Sequence, residues 1–138
     1  MITYRHADET DAEAVLEFWS RAAEDSGRPA DDADAIHRLI NRDPQALELA
    51  VDGETLVGTL IAGFDGWRSG LYRLAVAPDH RGQGIARELL QRGEQRLRDL
   101  GMSRVTAMVL DENELGAAFW SAAGYTPQSD WSRWVKSL

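Results

Sequence analysis

The stretch LYRLAVAPDHRGQGIARELL, residues 71–90, changes character in its middle. Residues 71–76 read as a strand, stopped by Pro78. From about residue 84 to 100 the pattern is a long helix, with Ile85, Leu89, Leu97 and Leu100 at helical spacing and Gly101 closing its far end. Gly82 and Gly84 stand at the junction, just behind Arg81. A helix start carries free backbone N–H groups and a partial positive charge. Glycine takes dihedrals closed to other residues and leaves no Cβ in the way of a ligand. With the fixed charge of Arg81, residues 81–86 (Arg81, Gly82, Gln83, Gly84, Ile85 and Ala86) read as a cradle for an anion, best a pyrophosphate.

Two familiar phosphate-binding patterns fail here. The P-loop needs Lys and then Ser or Thr after its last glycine, whereas Ile85, Ala86 and Arg87 follow Gly84. The dinucleotide fingerprint G-x-G-x-x-G finds Gly82 and Gly84 but meets Arg87 where a small residue is needed for helix–strand packing. Asp111 lies where a ribose-binding acid would stand, yet residues 112–138 are too few for the rest of that fold. An NAD-dependent oxidoreductase is therefore disfavoured. A glycine-rich connection with no ligand is the structural alternative.

Outward from the junction, RVTAMVL (104–110) reads as a strand parallel to 71–76, by the usual crossover rule. Upstream, LELAV (47–51) and TLVGTLIAGF (55–64) are strands joined at Asp52-Gly53, a hairpin signal, and DGWRSG (65–70) is a second turn. ITYRH (2–6) alternates as a strand. A helix capped by Asp8 or Thr10 runs to about Glu24 with Val15, Leu16 and Trp19 on one face, then a loop over 25–32, then a short helix through ADAIHRLINR. Downstream, ELGAAFWSAAG (114–124) is a helix and DWSRWVKS (130–137) a final strand. This order, hairpins first and then one β-α-β unit, predicts an α/β sandwich on a mixed sheet.

The 138 residues, 43% of them hydrophobic, fit one globular domain. The chain has no cysteine, and His6, His37 and His80 lack ligand spacing, so neither thiolate chemistry nor a metal site is expected. The net charge of −8 argues against a nucleic-acid partner. No apolar run approaches a membrane span and the N-terminus has no signal-peptide core, so no membrane partner and a cytoplasmic location are expected. Asp31, Asp32 and Asp34 are read as the acids of a helix start, or as a lure for a cationic amine.

A third cradle pattern, Gln/Arg-x-x-Gly-x-Gly/Ala, is filled by Arg81, Gly84 and Ala86. With it, residues 71–90 resemble the acetyl-CoA-binding core of the GNAT family of N-acetyltransferases. DENELGAAFWSAAGY (111–125) is similar to that family's Asn-containing segment, helix and Gly-aromatic end, and GFDGWRSG (63–70) resembles a small bacterial subgroup. The resemblance covers residues 47–127 by motif and the first helices by layout. It implies an α/β GNAT acyl-CoA N-acyltransferase fold, a mixed and mostly antiparallel sheet with helices on both faces, in a single domain over 1–138. It also implies acetyl transfer from acetyl-CoA, with no metal, to a small-molecule or peptide amine by a monomer or homodimer.

The resemblance places the pyrophosphate on 81–86 and the pantetheine arm along Leu74, Ala75 and Val76, beside a splay between 71–76 and 104–110. The backbone N–H near Val76 would hold the oxyanion. Asn113 is read as a cofactor ligand, as a helix cap, or both, and Trp120 as a wall beside the pantetheine. Family members place a Tyr acid where this chain has Trp120, and some use a Glu where it has Met108. Neither replacement transfers protons. Tyr72 is the nearest proton donor, expected to share a face with Leu74 and Val76 if the strand is regular; the plainer alternative is a half-buried aromatic. Asp65, Asp111 and Glu112 are read as turn or capping residues first. The rival to an enzyme is a CoA-binding sensor or interaction module that has lost catalysis.

Overall fold

The computed structural model describes residues 1–22 and 31–138. They form two compact units, residues 1–108 and 109–138. The expected helix end near Glu24 and most of the expected loop over 25–32 lie outside the described residues.

The first unit is built on a five-stranded sheet whose spatial order follows the chain. Its strands are β1 (Ile2–His6), β2 (Leu47–Asp52), β3 (Thr55–Phe64), β4 (Ser69–Val76) and β5 (Thr106–Ala107). The first three pairings are antiparallel and the last is parallel. Asp8 caps a short 3-10 turn, Glu9–Asp11, that leads into α1 (Ala12–Ala22), and Asp32 caps α2 (Ala33–Arg42). The long helix after the glycines is α3 (Ile85–Asp99).

Strand alternation sorts the helices onto opposite faces. On β3, Gly58 and Leu60 face α3: a Cβ on Gly58 would lie 3.1 Å from Ile85 and Leu89, and one on Gly93 of α3 would lie 2.7 Å from Leu60. Those glycines let α3 sit close on the sheet. Thr59 points the other way. Its buried hydroxyl accepts from Trp19 Nε1 of α1 at 3.0 Å and donates to the Arg73 carbonyl at 2.8 Å. Phe18, Val15, Ile36 and Ile40 fill the α1–α2 layer, and Leu89, Leu97 and Ile85 fill the α3 layer.

Beta4 is not regular. Tyr72 pairs with Ile61 and Ala75 with Thr59, so two intervening residues oppose one, and Arg73 takes a left-handed φ of +55°. The expected face shared by Tyr72, Leu74 and Val76 is thereby corrected. The bulge puts Tyr72 with Ala75 on the Thr59 side, while Val76, paired with Gly58, faces α3.

The strand expected over 104–110 shrinks to Thr106–Ala107, because its ladder with β4 has only two pairs, Gly70–Thr106 and Leu71–Ala107. The second unit holds α4 (Glu114–Ala122), in which the Trp120 ring packs edge-on against Phe119 and against Tyr125 beyond the helix end, at centroid distances of 5.6 and 4.8 Å. The final strand expected over 130–137 is not formed: no described residue pairs with it, and an unpartnered strand does not hold. Trp131, Trp134 and Val135 are exposed there.

Candidate functional site

The start of α3 is left bare by its own chain. Gly84 is its N-cap, at φ +80°, and no side chain among the described residues caps the first turn. Its carbonyl accepts from Glu88 N at 3.0 Å, so the amides of Ile85, Ala86 and Arg87 precede the first bonded turn. Gly82 is also left-handed, at φ +78°. A Cβ on either glycine would meet nothing within 4 Å. The glycines are thus required by dihedral and not by crowding, and the space before the amides is open. Ile85 is buried and anchors the turn, whereas Arg81, Gly82, Gln83 and Gly84 are exposed and Ala86 is half-buried.

A fastening that the sequence reading missed lies just upstream. His80 Nε2 lies 3.0 Å from Asp52 Oδ2 at the end of β2, and its Nδ1 lies 3.0 Å from Asp79 Oδ1. The N-terminal ammonium sits 3.3 Å from the other Asp52 oxygen. Hydrogen bonds from Asp52 and then Asp79 hold the His80 pKa above the ordinary histidine value, and the same bond lowers Asp52. Only the adjacency of His80 to the glycine loop hinted at this.

Next to the bare helix start lies an open strand edge. Ala77 N donates to Val57 O at 2.8 Å, toward β3. Alternation therefore aims the Val76 N–H and C=O away from β3, toward the side where the β5 ladder has already ended at Leu71. Leu74 and Val76 are half-buried and Ala75 is buried over Thr59. An amide edge and a helix N-terminus, both unsatisfied and consecutive in the chain, can bind an extended ligand with an anionic end.

Tyr72 is 52% exposed. Its ring lies over Gly63 and its hydroxyl reaches back over Gly70, where a Cβ would be 2.7 Å away. The phenol thus runs toward the start of β4, on the face opposite Val76. Asn113 and Trp120 belong to the second unit. Asn113 Oδ1 accepts from Gly116 N at 2.9 Å, so the capping reading holds there. Asp65 is a turn residue, its Oδ1 accepting from Trp67 N and Arg68 N at 2.7 Å. Among the described residues no helix is long and apolar enough to cross a membrane.

The sequence also matches known proteins. The profile of the "Acetyltransferase (GNAT) family" covers residues 12–125. An acetyltransferase of Pectobacterium atrosepticum is 41% identical over 106 residues, 75% of this chain and 73% of that protein. An acetyltransferase of Sodalis glossinidius is 34% identical over 126 residues, 91% of this chain and 85% of that protein. In fold, the chain is similar to the PaiA N-acetyltransferase of Thermoplasma acidophilum, solved with coenzyme A. The TM-score is 0.83 at 18% identity, over 93% of this chain and 91% of that one.

Proposed function

We propose that this chain, which belongs to the GNAT acetyltransferase family, transfers an acetyl group from acetyl-CoA to a primary amine by direct attack on the thioester. The observation that carries this reading is the pairing of the uncapped α3 start with the open β4 edge. The residues present fit the cosubstrate. Its pyrophosphate suits the amides of residues 84–87 and the Arg81 charge, and its pantetheine suits the free edge of Leu74 to Val76. Acetyl-CoA supplies an activated thioester carbonyl; the rest is the work of the chain.

The Val76 N–H, aimed at the open edge, donates to the thioester oxygen and stabilises the oxyanion that develops on attack. The chain holds this donor fixed through the Ala77–Val57 hydrogen bond and through the Thr59 clamp on the Arg73 carbonyl. Tyr72, the proton donor expected from the sequence, has its phenol over Gly70, far along β4 from the Val76 amide, so we route no proton through it and the departing thiolate takes its proton from solvent. Asn113 and Trp120 enter as cofactor residues on the family resemblance alone. We take residues 1–138 as one catalytic domain, working in the cytoplasm.

The test is thiol release from acetyl-CoA by the purified chain with a panel of amines. Release that depends on both amine and protein is the expected result. Tight acetyl-CoA binding with no release for any amine would replace the enzyme with a CoA-binding sensor.

A further inference from the structure

The fastening upstream of the glycines contains groups of the wrong charge for its neighbourhood. Asp52 and Asp79 bring carboxylates to the entry of a cradle for an anion, where each repels an anionic ligand. Asp52 is not local to the loop. It ends β2 and reaches His80 across 28 residues of chain. Both its oxygens are engaged, Oδ2 with His80 Nε2 at 3.0 Å and Oδ1 with the Met1 ammonium at 3.3 Å. His80 is engaged as fully. Its Nδ1 lies 3.0 Å from Asp79 Oδ1, and its side chain is only 19% exposed. Two carboxylate partners call for two N–H donors, so the ring is the imidazolium. The raised His80 pKa agrees, with the Asp52 hydrogen bond as its first cause. No ring N–H is left over for a ligand.

The loop that follows needs such a tie. Arg81, Gly82, Gln83 and Gly84 are all exposed, and the two glycines are left-handed, at φ +78° and +80°. Glycine has the most conformational freedom to lose, so this loop does not hold its own shape. At its exit, Ile85 is buried and roots α3 in the core. At its entry stands the short 3-10 turn Pro78–His80. His80 N donates to Ala77 O at 2.9 Å, and Ala77 N donates to Val57 O of β3 at 2.8 Å. The His80–Asp52 bond adds a second tie, from the last residue before the loop to β2.

We infer that Asp52 and His80 are positioning residues for the cosubstrate: acting as one unit, they hold the entry of the glycine loop so that the amides of residues 84–87 face its anionic end. The inference rests on the acetyl-transfer reading above. It explains why a carboxylate stands beside an anion site. By charge alone Asp52 weakens binding, and by holding His80 it strengthens binding. The second effect exceeds the first because both Asp52 oxygens are already matched by cations.

The opposed signs make the test sharp. Acetyl-CoA affinity is measured by calorimetry at about pH 6.5 for wild type, Asp52→Asn, His80→Gln and the double variant, each first shown to be folded by circular dichroism. His80→Gln leaves the Met1–Asp52 pair in place, so it isolates the tie to the loop. Each single variant should bind acetyl-CoA about tenfold more weakly, and the double variant no more weakly than either. With an amine that wild type acetylates, KM for acetyl-CoA should rise in step while kcat holds. Unchanged or tighter binding by Asp52→Asn, the result of removing a negative charge beside an anion site, overturns the inference. A loss in His80→Gln without one in Asp52→Asn makes His80 a direct ligand and overturns it too. So do losses that add in the double variant, or a fall in kcat with KM unchanged. Binding without turnover of any amine removes the acetyl-transfer reading alone, since the affinities still decide this one. Absence of acetyl-CoA binding to wild type brings down both.

Discussion

Two helix starts in the first unit solve the same problem in opposite ways. At α2, Asp32 turns its carboxylate onto Ala35 N at 2.8 Å, so the chain satisfies its own first turn. At α3, Gly84 supplies no side chain and leaves the amides uncovered. Both carry a partial positive charge. The difference teaches where a ligand is admitted: a self-capped start is structural, and a bare one beside an open strand edge is kept for something from outside.

The comparison breaks most sharply if α3 is made to resemble α2. Gly84→Asp places a carboxylate before the amides of α3 and strains a left-handed residue. Acetyl-CoA-dependent turnover should fall by about a hundredfold or more, the scale of losing charge-assisted hydrogen bonds. The apo protein should remain folded by circular dichroism, and near-normal turnover would show that the bare start is unused.

The converse change at α2 is milder. Asp32→Ala should cost about 1 kcal/mol of stability, read as a lowered Tm. Acetyl-CoA affinity in the same samples should be unchanged. A loss of affinity would mean that the two helix starts are not separate in role.

The smallest effect concerns the loop that feeds α3. His80 is held above its ordinary value by Asp52 and Asp79, so the folded chain favours its protonated form. That stabilisation is fully present below about pH 6.5 and is lost as pH rises through the raised value. A thermal melt series should therefore show wild type exceeding His80→Gln at acidic pH and the two converging as pH rises. A gap that stays constant across the series would contradict the charge-based account.

The cofactor side was legible in the sequence because it is made by local rules. Glycines at a strand–helix junction, Arg81 before them and helical spacing behind them need no knowledge of distant contacts. The hairpins over 47–76 and α2 were legible for the same reason. What escaped is what the bulge decides. No local pattern marks Arg73 as left-handed; the irregularity is fixed by Thr59, which reaches Arg73 across the sheet while held by Trp19 from α1. One inserted residue reverses the faces of Tyr72 and Val76, and with them the expected layout of the proton donor. The short β5 and the unformed strand over 130–137 were beyond reach too, since alternation reports a face but not a partner.

The central claim is that the backbone amides at the start of α3 hold an anionic ligand while those of α2 do not. Amide chemical shifts of the labelled protein, recorded as coenzyme A is added, test it residue by residue. The account predicts large, saturable shifts at Gly84, Ile85, Ala86 and Arg87, further shifts at Val76, and none at Asp34 and Ala35. Shifts centred on the α2 start, or a saturated titration that leaves residues 84–87 unmoved, would contradict it.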